Sequence, residues 1–107
     1  MMLPSRVRVL IANESVDFRK SFDGLCGVVR EALGEDPLSA ALFVFRNRRG
    51  DQIRILWWDR NGFALWMKRL ERGTFPFPKH SGAKGTLSSV ELATLLEGAV
   101  VAKPVAY

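Results

Sequence analysis

The chain has 107 residues, a formal net charge of +5 and a pI near 10.0. At 48% hydrophobic and 25% charged it has the composition of a soluble globular protein, which excludes a disordered chain. Its length suits one domain burying roughly 65% of its unfolded surface, and the single cysteine, Cys26, excludes an internal disulfide.

No apolar run approaches the ~20 residues of a membrane span, and the opening MMLPSRVRVL lacks the apolar segment and cleavage site of a signal peptide. The expectation is a cytoplasmic protein without membrane contact. A basic chain favours anionic partners, nucleic acid first.

In chain order, Arg6 to Ile11 alternates basic and apolar residues, the pattern of a strand with one buried face. Asn13 to Ser15 then offers capping side chains. Phe18, Phe22, Leu25, Cys26, Val29 and Leu33 form one apolar stripe, predicting a long helix over 16–33 that ends at Gly34 before Pro37. Cys26 lies on that stripe and reads as a small core residue.

Ala41 to Arg46 is a strand with Phe43 and Phe45 on one face and Leu42 and Val44 on the other. After a polar turn over Asn47 to Gly50, Asp51 to Trp58 returns. Ile53, Ile55 and Trp57 face one way, Arg54, Leu56 and Trp58 the other. The result is a hairpin over about 41–58.

The next stretch reads two ways. Asn61-Gly62 is a tight-turn dipeptide that could open a third strand. However, Phe63, Trp66, Met67 and Leu70 fall at helical spacing, with Gly73 at a helix C-terminal position and Lys68, Arg69 and Arg72 at the negative end of the dipole. A helix over about 62–72 is the expectation. Thr74 to Pro78 reads as an edge strand or a docking strap, because two prolines bar it from a sheet centre. Lys79 to Thr86 reads as a flexible polar loop. Ser88 and Glu91 make a capping box for a last helix over 88–97. The tail over 99–107 docks on the body or on a second copy. The fold expected is α+β: a small, mainly antiparallel sheet of the hairpin plus the N-terminal strand, packed by helix 16–33. One domain spans 1–98, followed by the tail.

Leu42 to Gly73 concentrates both charge and aromatic mass. It holds all three tryptophans, eight of the sixteen Lys+Arg residues and only three acids, so it alone carries +5. Arg and Lys bind phosphate, and aromatic side chains stack on unpaired bases. Trp57 and Trp66 read more readily as core, Trp58 less so. No enzyme chemistry is visible. His80 is the sole histidine and has no metal-ligand partner at the right spacing. Ser81 to Thr86 lacks the phosphate-loop spacing. Asp17, Asp23, Asp51 and Asp59 are a weak basis for a nuclease site. No catalytic residue, metal or cofactor is expected.

Four blocks in order resemble a known family. They are Asp17 to Leu25, Leu42 to Asp51, Ile55 to Asp59 continuing through Gly62-Phe63, Leu65-Trp66 and Lys68 to Gly73, and the late Leu92…Leu95-Leu96-Glu97-Gly98. Together they are similar to the TnpB-type accessory proteins encoded by the second open reading frame of insertion-sequence-sixty-six transposable elements. These are distinct from the RNA-guided nuclease that shares the name. The resemblance spans roughly Val7 to Gly98. It implies a role in transposition beside a separate transposase that carries the catalytic acids, and no enzyme activity for this chain. The family often has a basic tail, whereas Ala99 to Tyr107 holds one Lys.

The combined expectation is a non-catalytic accessory protein that binds DNA, at the element ends, or the element's transposase. Arg46, Arg48, Arg49, Arg54 and Arg60 would contact phosphate or an acidic transposase surface. Lys68, Arg69 and Arg72 would extend that face, with Arg19 and Lys20 as a secondary patch. The alternative is a pure protein–protein interaction module, working through Phe75, Pro76, Phe77, Pro78 and the tail. A homo-oligomer is a further expectation.

Overall fold

In the computed structural model, which describes residues 7–79, 81–99 and 105–106, one mixed sheet runs through the molecule between two helical covers. The expectations placed on Arg6, on His80 and on most of the tail lie outside the described residues. The chain runs β1 (Val9–Ala12), α1 (Phe22–Glu31), β2 (Leu42–Arg46), β3 (Gln52–Asp59), β4 (Gly62–Arg69), β5 (Lys84–Leu87), α2 (Ser89–Leu96) and the two-residue β6 (Val105–Ala106). The sheet order is β4-β3-β2-β1-β5-β6. Among the described residues only β1 and β2 are parallel, joined by α1 as the crossover, and the other pairings are antiparallel.

Side-chain alternation along the strands builds two cores. Leu10, Phe43, Phe45 and Leu56 meet Leu25, Cys26, Val29 and Leu33 under α1. Val9, Ile11, Leu42, Val44, Ile53, Ile55 and Leu87 meet Leu92, Leu95 and Phe75 under α2. Burying each such aliphatic or aromatic side chain contributes about 1.5–3 kcal/mol. Trp57 and Trp66, expected in the core, pack against its α2 side but stay half-buried. The capping box holds: the Glu91 N–H donates to Ser88 Oγ at 3.0 Å, and the Ser88 N–H donates to Glu91 Oε1 at 2.8 Å.

Three expectations need correction. The helix over 62–72 is strand β4, paired residue for residue with β3 from Asp59↔Gly62 to Gln52↔Arg69. The same residues fit a period of two: Phe63 and Leu65 lie on the α1 side, Trp66 on the α2 side. The eight-residue ladder with the neighbouring β3 outweighs the helix propensity of Lys68 and Arg69. The helix over 16–33 begins only at Phe22. Asp17 Oδ1 accepts from the Arg19 N–H at 2.9 Å, and Val16 N–H donates to Arg46 O at 2.9 Å, so 13–21 is a loop pinned across the hairpin end. A side chain that captures a nearby backbone N–H competes with helix in this way. Finally, Lys84 to Leu87 is a strand rather than loop, formed by pairing with β1 across Val9↔Leu87 to Ala12↔Lys84.

Candidate nucleic-acid interface

The strand directions decide where the charge goes. β1 and β2 finish at one end of the sheet, β3 starts there and β4 finishes there. The loop 13–21, the β2–β3 tip and the segment after β4 therefore share that end. The tip is held by its own side chains. Asn47 Nδ2 donates to Asp51 Oδ1 at 2.7 Å, while Asn47 Oδ1 accepts from the Gln52 N–H at 3.0 Å. Gly50 closes the turn at φ 77°, a left-handed conformation that glycine adopts without a Cβ clash.

The strap after β4 runs back beneath the tip. Phe75 N–H donates to Gly50 O at 2.8 Å and its ring is buried in the α2-side core. Of the two readings for Thr74 to Pro78, the strap is the one realised, without ladder pairing among the described residues.

Arg48 and Arg49 stand exposed between two hollows. One, of about 690 Å³, is lined by Asp17, Phe18, Arg19 and Asn47 along with the two arginines. The other, of about 310 Å³, lies between the tip and the strap and is lined by Asn13, Arg46, Phe77 and Lys79 with the same two arginines. Arg46 is half-buried. Its Nη2 donates to Asn13 O at 3.0 Å and its guanidinium lies 5.6 Å from the Phe77 ring centre. Arg54 stacks on Phe18 at 4.6 Å and its Nη1 reaches Lys20 O at 3.4 Å, so it supports the loop floor. Arg69 and Arg72 are exposed where β4 turns toward the strap, and Lys20 is exposed on the loop ahead of α1.

Two expected members fall elsewhere. Lys68 lies on the α2 side, where Nζ donates to Leu96 O at 2.7 Å and satisfies a carbonyl at the C-terminal end of α2. Arg60 sits in the β3–β4 turn at the opposite end of the sheet, 3.8 Å from Asp59. Conversely, Lys79 and Asn13 line the tip hollow although neither stands out in the sequence. Only the docking of the strap brings Lys79 there, and the Phe75-Pro76-Phe77-Pro78 spacing carries no trace of which element it docks on.

Two of the carboxylates at this end, Asp17 and Asp51, are already engaged, while Glu14 and Glu71 are exposed. Hydrogen bonds from the Arg19 side chain and backbone hold the Asp17 carboxyl at about 2. Asn47 hydrogen-bonds Asp51 and, with the charges of Arg49 and Arg69 nearby, holds its carboxyl below the usual range. Asp59 lies at the far end with Arg60. No cluster of three metal-ligating side chains occurs among the described residues. Cys26 is buried under α1, and burial pushes its thiol up. No helix among the described residues is long and apolar enough to cross a membrane. What the end offers is a set of exposed guanidinium groups, those of Arg48 and Arg49 foremost, beside two hollows, and guanidinium groups are donors that can hold anionic oxygens.

Comparison with known proteins places this arrangement in context. The "Uncharacterized protein y4hO" of Sinorhizobium fredii is 42% identical over 99 residues, covering 91% of this chain and 86% of the relative. The "Uncharacterized protein y4jC" of the same organism is 39% identical over 99 residues, covering 92% and 85%. No solved structure matches. The family described as "IS66 Orf2 like protein" matches residues 7–106, nearly the whole chain. Its role is accessory and transposition-related, and it is not a known enzyme family. With that match, and with the resemblance already carried by its sequence blocks, the chain belongs to the IS66 Orf2-like family.

Proposed function

We propose that the chain is a non-catalytic accessory factor of transposition that grips the DNA phosphate backbone with the basic end of its sheet. One observation carries this reading: Arg48 and Arg49, on a tip held rigid by Asn47, stand between hollows that Arg19, Arg46 and Lys79 also line. Arg69, Arg72 and Lys20 widen the same basic surface. Rigid presentation lowers the ordering cost of each phosphate contact. Phosphate contacts of this type position a protein on DNA without reading sequence. Preference for the element ends then comes from the transposase, the second partner in this reading. Residues 1–98 act as one domain, with 99–107 as its tail.

The alternative, a pure protein-interaction module acting through the strap, has less support. Phe75 and Pro78 are buried, and Phe77 is half-buried beside Arg46, so the strap's apolar groups are largely used inside the molecule.

The test is fluorescence anisotropy with an element-end duplex and a scrambled duplex across a salt series. Wild type should bind both, with a steep salt slope. Arg48→Ala with Arg49→Ala should lower that slope by about two, one for each phosphate no longer neutralised, and leave the circular dichroism spectrum unchanged. A double variant that binds with wild-type affinity and slope removes the tip from the interface. No binding by wild type at low salt returns the protein-interaction module.

A further inference from the structure

The sheet has two edges of different character. On one, β5 is covered by β6. On the other, β4 pairs only with β3 and its outer side is open among the described residues. β4 is eight residues long, with an uninterrupted register and neither proline nor bulge. Such an edge is a template for another strand, and soluble proteins usually blunt it with prolines, bulges or inward charges.

The hydrogen-bond phase identifies the free groups. Asp59↔Gly62 closes the hairpin, and Leu70 N–H donates to Asp51 O at 2.9 Å. Because ladder bonds alternate along an antiparallel strand, Gly62, Ala64, Trp66, Lys68 and Leu70 face β3. The N–H and C=O groups of Phe63, Leu65, Met67 and Arg69 therefore point outward. Met67 is also 60% exposed, a large apolar side chain left on this rim.

From these observations we infer that β4 pairs antiparallel with β4 of a second copy, about a twofold axis at Leu65, joining two sheets into one. This does not depend on the DNA reading. The occupant follows from self-complementarity. The strand's charges, Lys68 and Arg69, lie only at its C-terminal end. Parallel self-pairing would set each beside its own copy at about 4.8 Å. Antiparallel pairing on Leu65 sets Lys68 opposite the uncharged Gly62, six residue steps from its copy. At ~3.4 Å per step that separation is about 20 Å, beyond the ~8 Å screening length of physiological salt. Side-chain sizes agree. The small Ala64, which already neighbours Trp57 on β3, receives Trp66 of the second copy on its other side, and Phe63 meets the exposed Met67.

The experiment is sedimentation equilibrium of the full chain at concentrations up to ~100 µM, with Met67→Pro as the edge-blocking variant. Proline at position 67 deletes an outward N–H and leaves the β3–β4 ladder intact. Wild type should be a dimer, and Met67→Pro a monomer with an unchanged circular dichroism spectrum. A wild-type monomer throughout this range overturns the proposal, and loss of transposase capture by Met67→Pro in that case assigns the edge to the transposase. A Met67→Pro chain that dimerises like wild type also overturns it. Should Met67→Pro fail to fold, cysteine cross-linking decides. Opposed residues on the axis have Cα atoms about 5.5 Å apart, within disulfide reach. Leu65→Cys should then form a disulfide-linked dimer under mild oxidation, whereas Arg69→Cys, eight steps from its copy, and wild type with its buried Cys26 should not. Cross-linking through position 69 but not 65 refutes this register.

Discussion

β2 and β4 are both apolar strands that end in a basic residue, yet four of the five residues in β2 are buried and none of the eight in β4 is. β2 lies between β1 and β3 with a helix over each face, so its alternate side chains enter different cores. Among the described residues β4 has one neighbour, β3, and an open outer edge. Composition does not distinguish the two, and position in the sheet does. The centre supplies stability, and the rim supplies the exposed groups through which the molecule can meet something else.

The largest expected effect breaks the centre. Phe45 is fully buried between α1 and the sheet. Phe45→Ala should cost about 3–5 kcal/mol, a large part of the roughly 5–15 kcal/mol typical of a small domain. Met67→Ala on the rim should change stability by less than about 0.5 kcal/mol. Urea unfolding followed by tryptophan fluorescence measures both. Similar destabilisation of the two variants would mean that β4 is as tightly integrated as β2.

A smaller effect sharpens the comparison through ion pairs. Glu35, in the loop after α1, pairs with Lys84 and with Arg8, its side chain only 18% exposed. Lys84 also donates to Leu33 O at 2.9 Å, tying the end of α1 to β5. Hydrogen bonding to Lys84 is the main cause of a Glu35 carboxyl held below its usual 4.5. A carboxyl whose folded value is depressed adds stability that is present above the unfolded value and lost as pH falls below it. Glu35→Gln should therefore lower the melting temperature at pH 7, and the gap to wild type should close as pH drops below about 4.5. Asp17→Asn at the rim should not move the melting temperature, because its partner Arg19 is 91% exposed and solvent screens the pair. A pH-independent gap for Glu35→Gln would show that packing, not charge, is responsible.

The same contrast explains what is legible in the sequence. The hairpin, the faces of Phe43, Phe45, Ile53 and Ile55, and the capping box at Ser88 are local patterns, and each appears where its residues predict. β4 reads as a helix in the sequence because an edge strand needs no buried face of its own. Phe63, Trp66, Met67 and Leu70 satisfy a helical stripe as well as a strand, and only the partner β3 decides. β5 reads as a loop because Lys84 and Gly85 have little strand preference of their own and β1 supplies the pairing. Among the site residues, the tip arginines are visible as charge on a turn. The convergence of Arg19 and Lys79 on them depends on strand direction and on the strap, which are long-range facts. The same dependence removes Lys68 to the α2 side and Arg60 to the far end.

The smallest effect tests that far end. The β3–β4 loop is Arg60-Asn61, one residue earlier than the Asn61-Gly62 dipeptide suggests, and Arg60 has φ 57°. A non-glycine residue in this region costs about 1–2 kcal/mol, because its Cβ crowds the following carbonyl. Arg60→Gly removes that cost and adds about 0.5–1 kcal/mol of backbone entropy loss on folding, leaving a net gain of about 0.5–1 kcal/mol. The ion pair that this substitution removes is weak: Asp59 lies 3.8 Å away and the Arg60 side chain is 92% exposed. Thermal unfolding and the DNA salt series on one preparation separate the readings. A raised melting point with unchanged DNA affinity would keep phosphate binding at the opposite end of the sheet. A raised melting point with weakened binding would show that strain is retained at Arg60 for contact, extending the interface to both ends.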